Sequence, residues 1–122
     1  MRKTVFQGSV YLCNLSGAIG SEQIGTNRPC LVVQNNFGNI YSNCTQVVPI
    51  TSKQTDKIFD FQHVLLKSKY PFFSYDKNIV LCEQLRTIDK SRINYFLGRI
   101  EENELVEIRE KIFKNLGGDT SG

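Results

Sequence analysis

The chain has 122 residues, 40% of them hydrophobic and 22% charged, with a formal net charge of +3. That length fits one domain with a core that needs no disulfide staple or structural metal. The mild basic excess allows an anionic partner without demanding one, so the placement of the basic residues matters more than their sum. Of the four cysteines, none lies closer than fourteen residues to the next, which excludes a paired CxxC zinc site. Cys13, Cys30 and Cys82 sit in apolar runs, where a thiol behaves as a small hydrophobe. No apolar stretch of signal or membrane-span length follows the initial MRK, so the expectation is a reduced, cytoplasmic protein with no membrane segment.

In chain order, SVYLCNL (9–15) alternates as a strand. A polar, glycine-bearing loop follows from Ser16 to Asn27, and CLVVQ (30–34) then reads as a strand covered on both faces. NNFGN (35–39) signals a turn, and TQVVPIT (45–51) is a strand in which Pro49 points to an edge, a bulge or a strand end. FQHVLL (61–66) and NIVLCEQLR (78–86) give two more strands, and INYFLGRI (93–100) a short sixth. The period then becomes helical over 101–117, with Leu105, Ile108, Ile112 and Leu116 in a stripe widened by Val106 and Phe113. Glu107–Lys111 and Glu110–Lys114 are favourable i,i+4 pairs, and Gly117 suits a left-handed cap. The reading is one domain over 1–117 with a disordered tail at 118–122. It is mainly β: a small barrel with a C-terminal α-helix.

Three polar clusters could carry chemistry. Arg28 ends the loop GSEQIGTN, and Pro29 pushes its backbone toward extended geometry. Its planar guanidinium suits a phosphate, but an ion pair with Glu22 is equally open. Thr51, Ser52 and Lys53 end a strand with two hydroxyls and an amine, which fits a phosphate site or an ordinary turn. EQLRTIDKSR (83–92) follows an apolar run; Asp89 could cap a short turn, while Lys90 and Arg92 could touch a phosphate backbone. His63 is the single histidine and shares a strand face with Phe61 and Leu65, so it reads as packed, and catalysis by a histidine pair is excluded. No GxSxG, Walker loop, HExxH or dinucleotide fingerprint is present. KYPFFSYD (69–76) is rich in aromatics, suited to core packing or to stacking on bases.

Taken together, GSEQ, then RPCLVVQNN, then VVPITSK, then VLCEQLRTIDKSR resemble the MazF/PemK family of toxin endoribonucleases, in order and over nearly the whole chain. The resemblance implies an SH3-like β-barrel of the CcdB/PemK type, a homodimer, and metal-independent, cofactor-free cleavage of single-stranded RNA, chiefly messenger RNA. It implies Arg28 and Thr51 as the catalytic pair. Substrate contacts would come from Ser21, Glu22, Glu83, Gln84 and Arg86, with Ser52 and Lys53 beside Thr51. It also implies an antitoxin partner, expected to be small, acidic and partly disordered. The chain departs from the family at Gln7 and Ser9, where basic and acidic residues are usual, at SNCT (42–45), and by one extra residue in the loop before Arg28. Two other readings remain open. One is a non-enzymatic, gyrase-binding toxin of the CcdB kind, which the lack of tryptophan and the GGDTSG ending argue against. The other is an SH3-like interaction module using the aromatic segment.

Overall fold

Short runs of β-branched and aromatic residues, broken by polar turns, form strands because such side chains pack well on a pleated surface. The computed structural model describes residues 4–22, 25–52 and 57–118. Within them lie β1 (Ser9–Cys13), β2 (Arg28–Val32), α1 (Asn36–Tyr41), β3 (Cys44–Thr51), β4 (Gln62–Leu66), β5 (Lys77–Leu81), β6 (Arg86–Asp89), β7 (Ile93–Arg99) and α2 (Glu102–Asn115). Every pairing is antiparallel, in the order β4-β5-β3-β2-β1-β7, and β6 also pairs with β3. Among the described residues no pairing joins β4 to β7, and the ladders describe an antiparallel sheet with a C-terminal helix.

β3 organises the sheet. One side pairs with β2. The other pairs with β6 over Cys44–Val47 and with β5 over Ile50–Thr51. Pro49 falls in the step between those two partners, where a missing N–H costs no ladder bond. A proline therefore sits inside a central strand, not at an edge or an end. The same step divides NIVLCEQLR, read from sequence as one strand. The chain leaves β5 at Leu81, makes a 3-10 turn over Cys82–Gln84, and resumes as β6 further along β3. The NNFGN signal is likewise more than a turn. Asn35 caps α1 by accepting from Gly38 N at 2.8 Å, and Asn39 is buried as a polar hub. The Asn39 side chain donates to Gln34 O at 2.9 Å and accepts from Thr45 Oγ1 at 2.6 Å.

Both faces of the central strands are covered, which explains the unbroken apolar run of β2. Leu31, Val48 and Ile50 point into a core shared with Leu65, Val80 and the α2 residues Leu105, Ile108 and Ile112. Cys30, Val32 and Val47 point to the other face, against Val5, Tyr11, Cys13, Leu15, Ile88 and Ile93. Fully burying each aliphatic side chain contributes about 1.5–3 kcal/mol. Phe113 and Leu116 do not join the helix stripe; they are 53% and 67% exposed, although Ile112 is buried. Gly117 takes φ +90° and donates to Lys114 O at 3.0 Å, while Gly118 donates to Phe113 O at 2.8 Å. This paired bonding is the Schellman cap that the glycine implies. Gly118, assigned to the tail from sequence, is therefore part of the helix stop; residues 119–122 lie outside the described residues.

Candidate active site

Arg28 opens β2 and Thr51 closes β3, so both stand at the same end of the sheet. Cys30 faces Pro49 and Leu31 faces Val48, and continuing that antiparallel register by two residues sets Arg28 across from Thr51. Directly opposed residues share a face of the sheet. On its other side Arg28 faces Cys13 of β1. On β6, Arg86 faces Val47, which puts it on that same face. The register thus gathers Arg28, Thr51 and Arg86 on one surface. Asp or Glu is absent from the facing positions Cys13, Cys30, Val47 and Pro49.

The loop before Arg28 is tied down more firmly than a mobile surface loop. Leu15 N donates to Gly25 O at 2.7 Å, and Arg92 Nη1 donates to Asn14 O at 3.1 Å and Ser16 O at 3.0 Å. Gln84 Nε2 donates to Ser21 O at 3.3 Å, joining the loop to the 3-10 turn. The Glu22 carboxylate accepts from Ile19 N at 3.0 Å, folding the loop onto itself. Gly25, at φ +142°, lies flat against the Arg28 side chain; a Cβ there would come within 2.9 Å of Arg28 Nε. From sequence Gly25 is only one glycine of a polar, glycine-bearing loop. Its spacing of three before Arg28 is the signal that could have marked it.

The other residues singled out from sequence divide between this end of the sheet and the scaffold. Ser52 is half-buried beside Arg28 on the wall of a cleft. Lys53 lies outside the described residues. Glu83 Oε2 accepts from Gln62 Nε2 at 3.5 Å, whereas Glu83 Oε1 and Arg86 Nη1 are buried atoms with no hydrogen-bond partner among the described residues. Lys90 and Arg92, read as candidate phosphate contacts, are structural instead. Lys90 is buried and donates to Asn39 O, and Arg92 holds the Asn14–Ser16 carbonyls. Asp89 caps the turn after β6 by accepting from Ser91 N at 2.8 Å, and its hydrogen bonds to Ser91 hold its carboxyl below the usual range.

The thiols near Arg28 are poor nucleophiles. A hydrogen bond with Cys13, and burial, push the Cys30 thiol far up against the opposing pull of Arg86, and burial raises Cys82 to about 11. All four cysteines are free. His63 is buried and bonded to Glu104 through Nε2 at 3.0 Å, a packed strand histidine. What the site offers is therefore a cation and a hydroxyl, with no thiolate or imidazole beside them. Arginine stays charged and cannot titrate usefully, so its chemistry here is charge stabilisation.

The cleft beside Arg28 has a volume of about 370 Å³. Its walls include Arg28, Ser52, Phe72, Ser74 and Tyr75, and among the described residues no acidic one lines it. The KYPFFSYD segment therefore divides. Tyr70 and Phe73 are core, while half-buried Phe72 and exposed Tyr75 line the cleft, which lies on the face of Pro29 and Ile50. A larger cleft of about 440 Å³ between α2 and Phe61 carries Asp60, Glu107 and Glu110 and lies away from Arg28 and Thr51. Among the described residues no cluster of three His, Cys, Asp or Glu could hold a metal ion, and no helix is long and apolar enough to cross a membrane.

Comparison with known proteins agrees with the motif reading. Residues 6–116 match the family described as PemK-like, MazF-like toxin of type II toxin-antitoxin system. An endoribonuclease MazF of Staphylococcus saprophyticus is 37% identical over 112 residues, covering 91% of this chain and 90% of the relative. The crystal structure of MazF from Deinococcus radiodurans aligns with a TM-score of 0.79 at 27% identity, over 94% of this chain and 98% of that one. A MazE–MazF structure from the same organism aligns at a TM-score of 0.71 and 23% identity, over 96% and 99% of the two chains. The chain belongs to the PemK-like, MazF-like toxins of type II toxin–antitoxin systems.

Proposed function

We propose that this toxin is an endoribonuclease that cuts single-stranded RNA at the Arg28–Thr51 end of the sheet. The observation that carries the reading is the register of β2 on β3, which brings a fixed guanidinium and a hydroxyl to one face at two strand ends, with no acidic residue opposite either. RNA needs no metal to break. The neighbouring 2′-hydroxyl oxygen attacks phosphorus, the bond to the 5′-oxygen breaks, and the products are a 2′,3′-cyclic phosphate and a 5′-hydroxyl. The 2′-proton leaves as attack proceeds, and the departing 5′-oxygen takes up a proton. The barrier lies in charge growing on the phosphorane oxygens. Arg28 supplies a forked cation there and Thr51 a hydrogen bond. Arg86, on the same face and with a buried N–H unpaired among the described residues, adds positive potential along the RNA backbone. Ser21, Glu22, Glu83, Gln84 and Ser52, with Lys53, would contact bases and backbone. The Gln84–Ser21 hydrogen bond supports treating the loop and the 3-10 turn as one surface.

The same reading gives the partners. A MazE antitoxin accompanies MazF in the Deinococcus complex. An acidic antitoxin segment would compete with RNA for the basic face. Exposed Phe37, Ile40 and Tyr41 on α1 supply an apolar surface for a homodimer. The SH3-like barrel and a cytoplasmic location belong to this reading too.

The test is to incubate the purified chain with long single-stranded RNA in EDTA, beside Arg28→Ala and Thr51→Ala. Cuts at a short recurring motif, abolished in both folded variants, support the reading. Intact RNA with the wild-type chain, or undiminished cutting by both variants, overturns it.

A further inference from the structure

We propose that Lys77 is a further RNA-binding residue on the face of Thr51, holding a backbone phosphate that flanks the scissile one. The inference rests on the ribonuclease reading of Arg28 and Thr51. It adds a cation from the start of β5, which lies outside the motifs that marked the site.

The first argument is register. Thr51 of β3 faces Ile79 of β5, and Ile79 faces Val64 of β4. Two residues before Ile79 stands Lys77, paired with Leu66. Strand residues two apart share a face, so Lys77 and Leu66 stand on the face of Thr51. Thr51 and Lys77 are diagonal neighbours on adjacent strands, a relation that spans roughly 7–8 Å. Arg86 reaches the same face opposite Val47, further back along β3. Lys77 and Arg86 thus lie on one side of β3, with Thr51 between them along the strand. From the level of Arg86 to that of Lys77 is about six residues of strand, or roughly 20 Å. A phosphate at Arg28 and Thr51 has one cation ahead of it and another behind, the arrangement by which a basic track follows the backbone of a single strand.

The second argument is access. Ile79 is buried, whereas Lys77 and Leu66 are exposed, so the face opens to solvent at their pair. Among the described residues Lys77 makes no salt bridge. No Asp or Glu stands at the neighbouring positions of its face, which are Leu66, Val64 and Ile79. Asp76 is next in the chain, but Lys67 N donates to Asp76 O at 2.9 Å, which extends the β4–β5 ladder and turns both of those side chains to the opposite face.

The third argument is what the other cations do. Lys69 pairs with Glu101 and Glu104, Lys90 donates to Asn39 O, Arg92 holds the carbonyls of Asn14 and Ser16, and Lys111 donates to Gln62 O. Arg109 stands on α2, whose apolar residues pack against the other face of the sheet. Lys77 is exposed, carries charge that no carboxylate offsets, and shares the face of the proposed chemistry.

The experiment is a titration of the full chain, at several salt concentrations, with fluorescent single-stranded RNA whose riboses are 2′-O-methylated, so that binding is read without cleavage. Each phosphate neutralised on a single strand adds about 0.7 to the slope of log affinity against log salt. Lys77→Ala should lower the slope by about that much, so that a fourfold rise in salt costs it about 2.5-fold less affinity than it costs the wild type. Lys77→Arg should keep the wild-type slope. Arg109→Ala, an exposed site with the same change in charge, should keep it too. With natural RNA, Lys77→Ala should raise KM and leave kcat and the cut motif unchanged, because a phosphate contact carries no sequence information. An unchanged slope in Lys77→Ala, or an equal drop in Lys77→Ala and Arg109→Ala, would overturn the assignment. Failure of the ribonuclease reading is a separate outcome, in which the wild-type chain leaves natural RNA intact.

Discussion

Two clusters of charged residues meet at Gln62 in this fold, and they are finished differently. On the α2 side, Glu104 accepts from Tyr70 Oη and from His63 Nε2 at 3.0 Å, and lies 3.4 Å from Lys69 Nζ. Tyr70 Oη also takes Glu101 N at 3.0 Å, and Lys111 donates to Gln62 O at 2.8 Å while standing 3.3 Å from His63 Nδ1. Both oxygens of the carboxylate are used, and they fasten α2 to β4 and the segment after it. On the other side of Gln62, Glu83 keeps a buried polar atom without a partner among the described residues, as does Arg86, which stands on the face that holds Arg28 and Thr51. A buried polar group left unpaired costs about 1–3 kcal/mol, so a fold keeps one only where something else compensates. Saturated polar networks hold a structure together; an unpaired buried group calls for a separate partner, a water or a ligand.

The largest effects should come from the incomplete end and spare the fold. Thr51→Ala and Arg28→Lys should each lower kcat by about 10²–10³-fold, the usual loss for one donor to a developing oxyanion, with Tm unchanged. Lysine keeps the charge and loses the fork, so near-wild-type cutting by Arg28→Lys would show that charge alone suffices. Gly25→Ala should cost about tenfold in kcat, because its Cβ would press on the Arg28 stem and φ +142° strains any side chain. Single-turnover cleavage beside a thermal melt checks all three.

The saturated end should respond in stability. Glu104→Gln removes a charged acceptor and should cost about 1.5–3 kcal/mol, or roughly 5–10 °C in Tm. Its pH dependence follows from the lowered carboxyl. Burial works against the charged form, but hydrogen bonds from Tyr70, His63 and Lys69 outweigh it and hold Glu104 below its ordinary value of 4.5. A depressed carboxylate contributes its stability fully above that ordinary value and loses it as pH falls through the lowered one. Denaturation midpoints should therefore drop on acidification below about pH 4.5 in the wild type, and less steeply in Glu104→Gln. Gly117→Ala is the smallest change. It forces a Cβ into φ +90° at the helix stop and should cost about 0.5–1 kcal/mol.

The sequence carried the strands and the long helix because alternation and the 3.6-residue period are local properties. It also carried the family, since GSEQ, RP, VVPIT and EQLRTIDKSR are contiguous. Relations between segments were not legible in it. That Lys90 would turn inward to Asn39, while Arg86 four residues earlier would face the Arg28 surface, depends on the opposite ends of β6 at which the two stand. Pro49 suggested an edge because proline disrupts ladders; only the meeting of β5 and β6 on β3 shows why a central proline is tolerated. Lys111 was read as a helix-surface partner of Glu107, but the neighbouring strand offers it the Gln62 carbonyl. KYPFFSYD looked uniformly aromatic, and the sheet sorts it into core and cleft.

The most direct test of the contrast is one paired measurement on three proteins: RNA cleavage in EDTA per folded molecule, and Tm, for wild type, Arg28→Ala and Glu104→Gln. The account predicts that Arg28→Ala keeps the wild-type Tm and loses cleavage. It predicts that Glu104→Gln loses several degrees of Tm and, well below its melt, cuts RNA as the wild type does. Cleavage retained by Arg28→Ala, or lost by a fully folded Glu104→Gln, would contradict it.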